Sequence, residues 1–153
     1  MEREIAIAAP PSAVWRVLTA FNLYPAWNPF VVSVAGTLER KKRLAVLIQP
    51  SEGGRLWRFR ARIVRLSDER ELCWLGRLGL PWVFDGRHCF ALEPDGPGRT
   101  RFVQRETFRG LLVPLLPRPV FAAVERGFEA MNEALKQRAE RERRPRTEPA
   151  AAP

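Results

Sequence analysis

The chain has 153 residues, 46% of them apolar, which suits one domain with a sizeable core and leaves too little length for two conventional domains. No apolar run approaches the length of a membrane span, and Met1-Glu2-Arg3-Glu4 leads straight into a strand-like pattern instead of a signal peptide, so a cytoplasmic location is expected. The net charge of +9 would suit nucleic acid or an anionic membrane, but 23 Arg against 3 Lys, scattered among abundant Ala, Pro and Gly, read as a coding bias; no specific nucleic-acid partner is expected, and only peripheral membrane contact stays open.

Glu2 to Ala8 alternates Ile5 and Ile7 with short or polar residues and predicts a first strand, which Pro10-Pro11 stops. Val14, Trp15, Leu18 and Phe21 then recur at one-face helical spacing. Asn22 to Phe30 reads as a second short helix and a turn, limited by Pro25 and Pro29. From Val31 the pattern changes to period two, in runs 31–38, 43–49, 56–66, 70–78, 82–93 and 99–108, separated by turns such as Arg40-Lys41-Lys42 and Glu52-Gly53-Gly54. Consecutive strands with short turns predict an antiparallel meander. Arg58, Arg60 and Arg62 take the alternate positions to Trp57 and Phe59 and are expected on a solvated sheet face. Cys73 and Cys89 have no metal-type spacing and sit beside large apolar residues, so buried free thiols are expected over a disulfide or a reactive site.

Leu111-Leu112-Val113-Pro114-Leu115-Leu116-Pro117 is apolar but too rich in proline for a regular helix. A flexible gate, a contact surface for a membrane or a protein, and burial against its own domain all remain open for it. Pro119 suits a first helical turn, and Val120, Phe121, Val124, Phe128, Met131 and Leu135 follow at helix spacing. Gly127 interrupts that face at a cost of about 1 kcal/mol relative to Ala, which suggests room for a bulky neighbour or a ligand. The domain is expected to span residues 1–140, and the basic, Pro/Ala-rich end at 141–153 has nothing to bury and is expected to be disordered.

The run Thr100 to Phe108 places Phe102, Gln104, Glu106 and Phe108 on one face, so a carboxylate projects into the same interior as phenylalanines. An unpaired buried charge is costly, and a partner is expected. The chain's single histidine, His88, shares a face with Phe90 and Leu92 in the preceding run. The turn Asp95-Gly96-Pro97-Gly98 joins the two runs as a hairpin; if 92 pairs with 102, then 88 lies opposite 106. His88 and Glu106 could act as an acid/base pair on an enolisable carbonyl, anchor a polar group of a ligand, or form a mutually satisfied structural pair. A lone histidine without clustered Cys or carboxylates predicts no metal site, and no nucleophile elbow, P-loop or dinucleotide fingerprint is present, so no cofactor is expected.

A strand, two short helices, six antiparallel strands and a long C-terminal helix make an α+β order, in which a curved sheet can wrap the last helix and leave a cavity. That order, together with Ala9-Pro10-Pro11-Ser12-Ala13-Val14-Trp15, Tyr24-Pro25-Ala26-Trp27-Asn28-Pro29-Phe30, the Gly86/His88/Phe90 strand and Thr100-Arg101-Phe102 through Glu106 and Gly110, resembles the SRPBCC superfamily. More narrowly it looks like the polyketide cyclase/dehydrase and lipid-transport branch, with the helix-grip fold of START domains and birch-pollen-allergen-like proteins. The resemblance implies a sheet of about seven strands around the C-terminal helix and a pocket for a hydrophobic or amphipathic small molecule. It assigns no reaction, because the superfamily shares no universal catalytic residues.

The expected pocket draws on Trp27, Phe30, Phe59, Trp74, Trp82, Phe84, Phe90, Phe102 and Phe108, with Val124, Phe128 and Met131 from the last helix. His88, Gln104, Glu106 and Asn28 would orient the ligand, although Asn28 equally suits a turn. The leading expectation is sequestration of a hydrophobic or aromatic small molecule. The alternatives are a cofactor-independent cyclase, dehydratase or isomerase in the same cavity, or a basic-surface interaction module. Monomer and homodimer are equally compatible with the sequence.

Overall fold

The computed structural model describes residues 1–143 except Ser51, Glu52, Gly79, Pro81 and Leu116, with the backbone alone for Leu78 and Arg143. Strand β1 (Glu2–Ile7) leads into helix α1 (Pro11–Thr19), whose first turn accepts Pro11 because that position has no intrahelical N–H partner to lose. The expected second helix is a 3-10 helix over Phe21–Ala26. Tyr24 is fully buried there, its hydroxyl donating to the Leu18 carbonyl at 2.6 Å, and burial pushes its pKa up.

All six period-two runs form strands: β2 (Val31–Ala35), β3 (Arg43–Ile48), β4 (Trp57–Ser67), β5 (Glu71–Leu78), β6 (Phe84–Pro94) and β7 (Thr100–Arg109). They make one seven-stranded antiparallel sheet in the order β1-β7-β6-β5-β4-β3-β2. The meander is as expected, and its far edge is closed by the first strand, with Ile5 opposite Phe102. Arg58, Arg60 and Arg62 are exposed, while Ala61 and Ile63 are buried on the other face of the same strand.

Helix α2 (Arg118–Arg143) lies against the inner side of the sheet and continues past the expected boundary at 140. The rest of the expected tail, 144–153, lies outside the described residues. Val124, Phe128, Met131 and Leu135 are buried as their spacing predicts. At the outer edge, Arg3 of β1 donates to Glu125 and Glu129 of α2 at 3.0 and 2.8 Å. No described helix is long and apolar enough to cross a membrane.

Gly127 has the bulky neighbour its sequence position suggests. A Cβ there would lie 2.2 Å from Phe30 Cδ2, and Phe30 is itself buried. Gly127→Ala is therefore expected to destabilise the fold: the helix gains about 1 kcal/mol in propensity but overpacking costs about 1–3 kcal/mol. Denaturant unfolding checks this, and a more stable variant would show that Phe30 yields freely.

The cysteines correct an expectation. Cys73 and Cys89 are not free thiols; they face each other across β5 and β6 with Cα atoms 4.1 Å apart and form a disulfide. Each strand pattern taken alone shows a cysteine among apolar residues. Only the register between the strands brings the two together, with Trp74 opposite His88 at the next position and on the other face.

Candidate functional site

The β6/β7 hairpin has the register the turn residues predict, Leu92 opposite Phe102 and His88 opposite Glu106. His88 Nδ1 is 2.5 Å from Glu106 Oε2, and both side chains are largely buried. Gln104 Nε2 donates to His88 Nε2 at 3.1 Å and contacts Met131 Sδ at 3.5 Å. This geometry suits a neutral ring donating from Nδ1 to the carboxylate; the rotated Gln104 amide, whose Oε1 is buried without a partner among the described residues, would accept from a protonated ring. Aromatic rings hold the imidazole in place. Trp74 stacks on it at 5.3 Å, and Phe90 and Phe128 meet it edge-on at 4.5 and 5.1 Å.

Beside this pair, between the sheet and α2, lies a cavity of about 500 Å³. Its aromatic wall is Phe30, Trp57, Phe59, Trp74, Phe84 and Phe108, and its aliphatic wall is Val31, Val46, Ile48, Leu112, Val120 and Val124. His88 and Glu106 supply the polar groups within it, and Arg58 and Arg77 also border it. Arg77 Nε donates to Asp85 at 2.7 Å, which holds the Asp85 carboxyl below the usual carboxylate range.

The hollow has a local cause. Gly76 of β5 lies opposite Gly86 of β6, and both border the cavity, so two adjacent inward positions carry no side chain. A Cβ on Gly86 would sit 2.9 Å from Glu106 Oε1, and one on Gly76 would sit 3.1 Å from the Phe59 ring. The glycine at 86 makes room for the carboxylate, and the one at 76 makes room for the Phe59 ring.

Of the residues expected in the pocket, Phe30, Phe59, Trp74, Phe84, His88, Glu106, Phe108 and Val124 meet around this cavity. Phe90, Phe102, Phe128, Met131 and Gln104 are fully buried behind them, so they support the wall and do not line it. Asn28 is a turn former whose Oδ1 accepts from the N–H groups of Phe30 and Val31 at 3.0 and 2.9 Å, so it sets two wall residues instead of a ligand. Trp27 packs edge-on against Tyr24 at 5.1 Å and is away from the cavity lining. Trp82 is 72% exposed, because its turn carries the indole outward. The expected pocket left out Val31, Val46, Ile48, Trp57, Arg58, Arg77, Leu112, Val120 and the two glycines; the inward parity of β3 could have found Val46 and Ile48, that of β4 Trp57, and the apolar stripe of α2 Val120.

A curved antiparallel sheet gripping a C-terminal helix over an apolar hollow is the architecture of START-like proteins. The chain belongs to the polyketide cyclase/dehydrase and lipid transport family, whose model matches residues 1–140. Solved structures of similar fold include the Zhui aromatase/cyclase from Streptomyces sp. R1128, with a TM-score of 0.74 and 21% identity over 94% of both chains. A START superfamily protein from Mycobacterium smegmatis has a TM-score of 0.71 and 19% identity over 92% of this chain and 97% of that one. The protein TTHA0849 from Thermus thermophilus has a TM-score of 0.73 and 19% identity over 94% and 99% of the two chains. At these identities the likeness is one of fold. No curated protein matches the sequence. Family membership supports a hydrophobic ligand-binding or cyclase role without choosing between them.

Proposed function

We propose that the protein sequesters a hydrophobic, aromatic small molecule bearing a hydroxyl group. The observation that carries this reading is the largely apolar cavity of about 500 Å³ with the His88/Glu106 pair set into its wall. That volume falls within the roughly 300–1,000 Å³ range of small-molecule sites, where apolar enclosure supplies affinity and a few polar groups fix orientation. Glu106 Oε2 is engaged by His88, whereas Oε1, beside Gly86, has no hydrogen-bond partner among the described residues and is free to accept from a ligand hydroxyl.

Glu106→Gln is expected to weaken binding of 2-naphthol by about 1.5–3 kcal/mol, the range for a hydrogen bond to a charged group, while leaving naphthalene affinity nearly unchanged. Fluorescence titration of the two probes, with thermal unfolding as the control for fold, checks this. Equal losses for both probes, or no loss for either, would remove Glu106 as an anchor. Native mass spectrometry of freshly purified protein tests sequestration itself through the mass of any retained molecule.

The same free Oε1 favours one second reading, a cofactor-independent cyclase or dehydratase in which Glu106 takes a proton from an enolisable carbonyl compound with His88 holding it in place. Turnover by the wild type that Glu106→Gln nearly abolishes, without a comparable loss of binding, would select it over sequestration.

A further inference from the structure

The large apolar side chains left exposed are concentrated at one end of the molecule. Leu23 apart, those among the described residues belong to three connections: Leu56 and Trp57 before and at the start of β4, Leu80 and Trp82 between β5 and β6, and Leu111 and Leu115, with neighbouring Leu112, after β7. Trp57 and Leu112 also border the cavity, so this apolar rim surrounds its mouth. Trp82, Leu111 and Leu115 are 72%, 79% and 75% exposed, more than isolated surface residues of a domain with this much core require.

The rim is built, not frayed. The Leu111 N–H donates to the Trp82 carbonyl at 2.9 Å and the Leu112 N–H to the Val83 carbonyl at 3.0 Å, which ties two of the connections together. Gly110 permits this approach: its φ is +128°, and a Cβ there would lie 2.5 Å from the Val83 carbonyl oxygen. Trp82 has φ +71°, a left-handed conformation that is unfavourable for a bulky residue and holds the indole outward.

Among the described residues, the charges without an ion-pair partner at this end are positive. Arg55, Arg58, Arg109 and Arg118 flank the rim and have no carboxylate partner among the described residues. The described carboxylates of the elements around it are paired: Asp85 with Arg77, Glu106 with His88 inside the cavity, and Glu125, next to the lining residue Val124, with Arg3. Asp68, Glu69, Glu93 and Asp95 lie at the β4/β5 and β6/β7 turns, the opposite end of the sheet.

We propose that the mouth of the cavity docks on an anionic lipid bilayer, with Trp82, Leu111 and Leu115 entering the headgroup region and the flanking arginines meeting lipid phosphates. An indole and leucines ringed by arginine match the boundary between acyl chains and anionic headgroups, where tryptophan is favoured and each nearby base adds attraction. An acidic protein would satisfy the arginines but offers no general reason for apolar tips without polar partners. The inference rests on this surface and is independent of what the cavity holds.

Co-sedimentation with sonicated vesicles tests it, using phosphatidylcholine containing phosphatidylglycerol against phosphatidylcholine alone. The wild type is expected to bind the anionic vesicles at least about tenfold more tightly, and to lose most of that preference in high salt. Trp82→Gly removes an apolar tip and relieves the left-handed strain, so it should unfold at the same or a higher temperature yet partition about tenfold less; Leu111→Ser should add to that loss. Arg109→Gln with Arg118→Gln should reduce the preference for anionic over neutral vesicles. Absence of vesicle binding by the wild type overturns the proposal, and so does binding unchanged by Trp82→Gly and Leu111→Ser. Binding of polyglutamate in place of vesicles, abolished by the same substitutions, would overturn it in favour of an acidic protein partner.

Discussion

Phe128→Ala is expected to cost about 3–5 kcal/mol of folding stability, the range for deleting a fully buried aromatic ring. Phe128 is 0% exposed, with its ring 5.5 Å from that of Phe30 and 5.1 Å from that of His88. The Phe30 ring already lies close against Gly127, next to Phe128 on the same helix, which limits how far it can shift into the gap. The void should instead join the existing cavity, which lies on the far side of the same Phe30 and His88 side chains. Two measurements follow from one variant. Urea unfolding should show the full loss of stability, and relative affinity should move from naphthalene toward anthracene, which needs the added depth. A variant that loses stability but keeps its preference for the smaller probe would show that the core has closed over the gap.

The second large effect is expected at the disulfide. Cys73 and Cys89 are 16 residues apart in sequence. In the chain-entropy account, cross-linking a loop of about that length stabilises the folded state by about 3 kcal/mol, so Cys73→Ser with Cys89→Ser should lower stability by that order. Reducing the wild type should reproduce the loss, and thiol titration of unreduced, denatured protein should find no free cysteine. Two titratable thiols at undiminished stability would show that the bond is not formed in solution. The same titration on protein trapped directly from cells addresses location, because disulfides persist chiefly in oxidising compartments and a cytoplasmic site would keep the pair reduced.

The elements were legible because their periods are unmixed. Alternation along Arg43–Ile48 or Thr100–Arg109 can be read without knowing the neighbouring strands, and so can the stripe from Val124 to Leu135. His88 and Glu106 could be paired because a short turn with two positive-φ glycines, Gly96 and Gly98, fixes the hairpin register. What was lost depends on register between segments that no turn residues announce, or on depth. Cys73 meets Cys89 across the connection at 79–83, which is as short as the β6/β7 turn but is mostly apolar and lacks the Asp-Gly and Pro-Gly steps that mark that hairpin in the sequence. Phe90 and Phe102 share a face with residues of the wall but lie one layer behind them, a distinction that parity cannot express. Trp82 has the composition of a pocket wall, and only the backbone of its turn sends it outward.

The facing glycines bear on how such a protein could change its cargo over evolutionary time. Gly76 borders the Phe59 ring, whereas Gly86 borders the Glu106 carboxylate. A methyl group gained at 76 would reshape the hydrocarbon side of the chamber and leave the acid where it is; one gained at 86 would turn the acid and leave the hydrocarbon side largely intact. On the proposed sequestering role, shape selectivity and polar recognition would therefore sit on separate codons of neighbouring strands. A lineage could alter one by single substitutions without first surrendering the other.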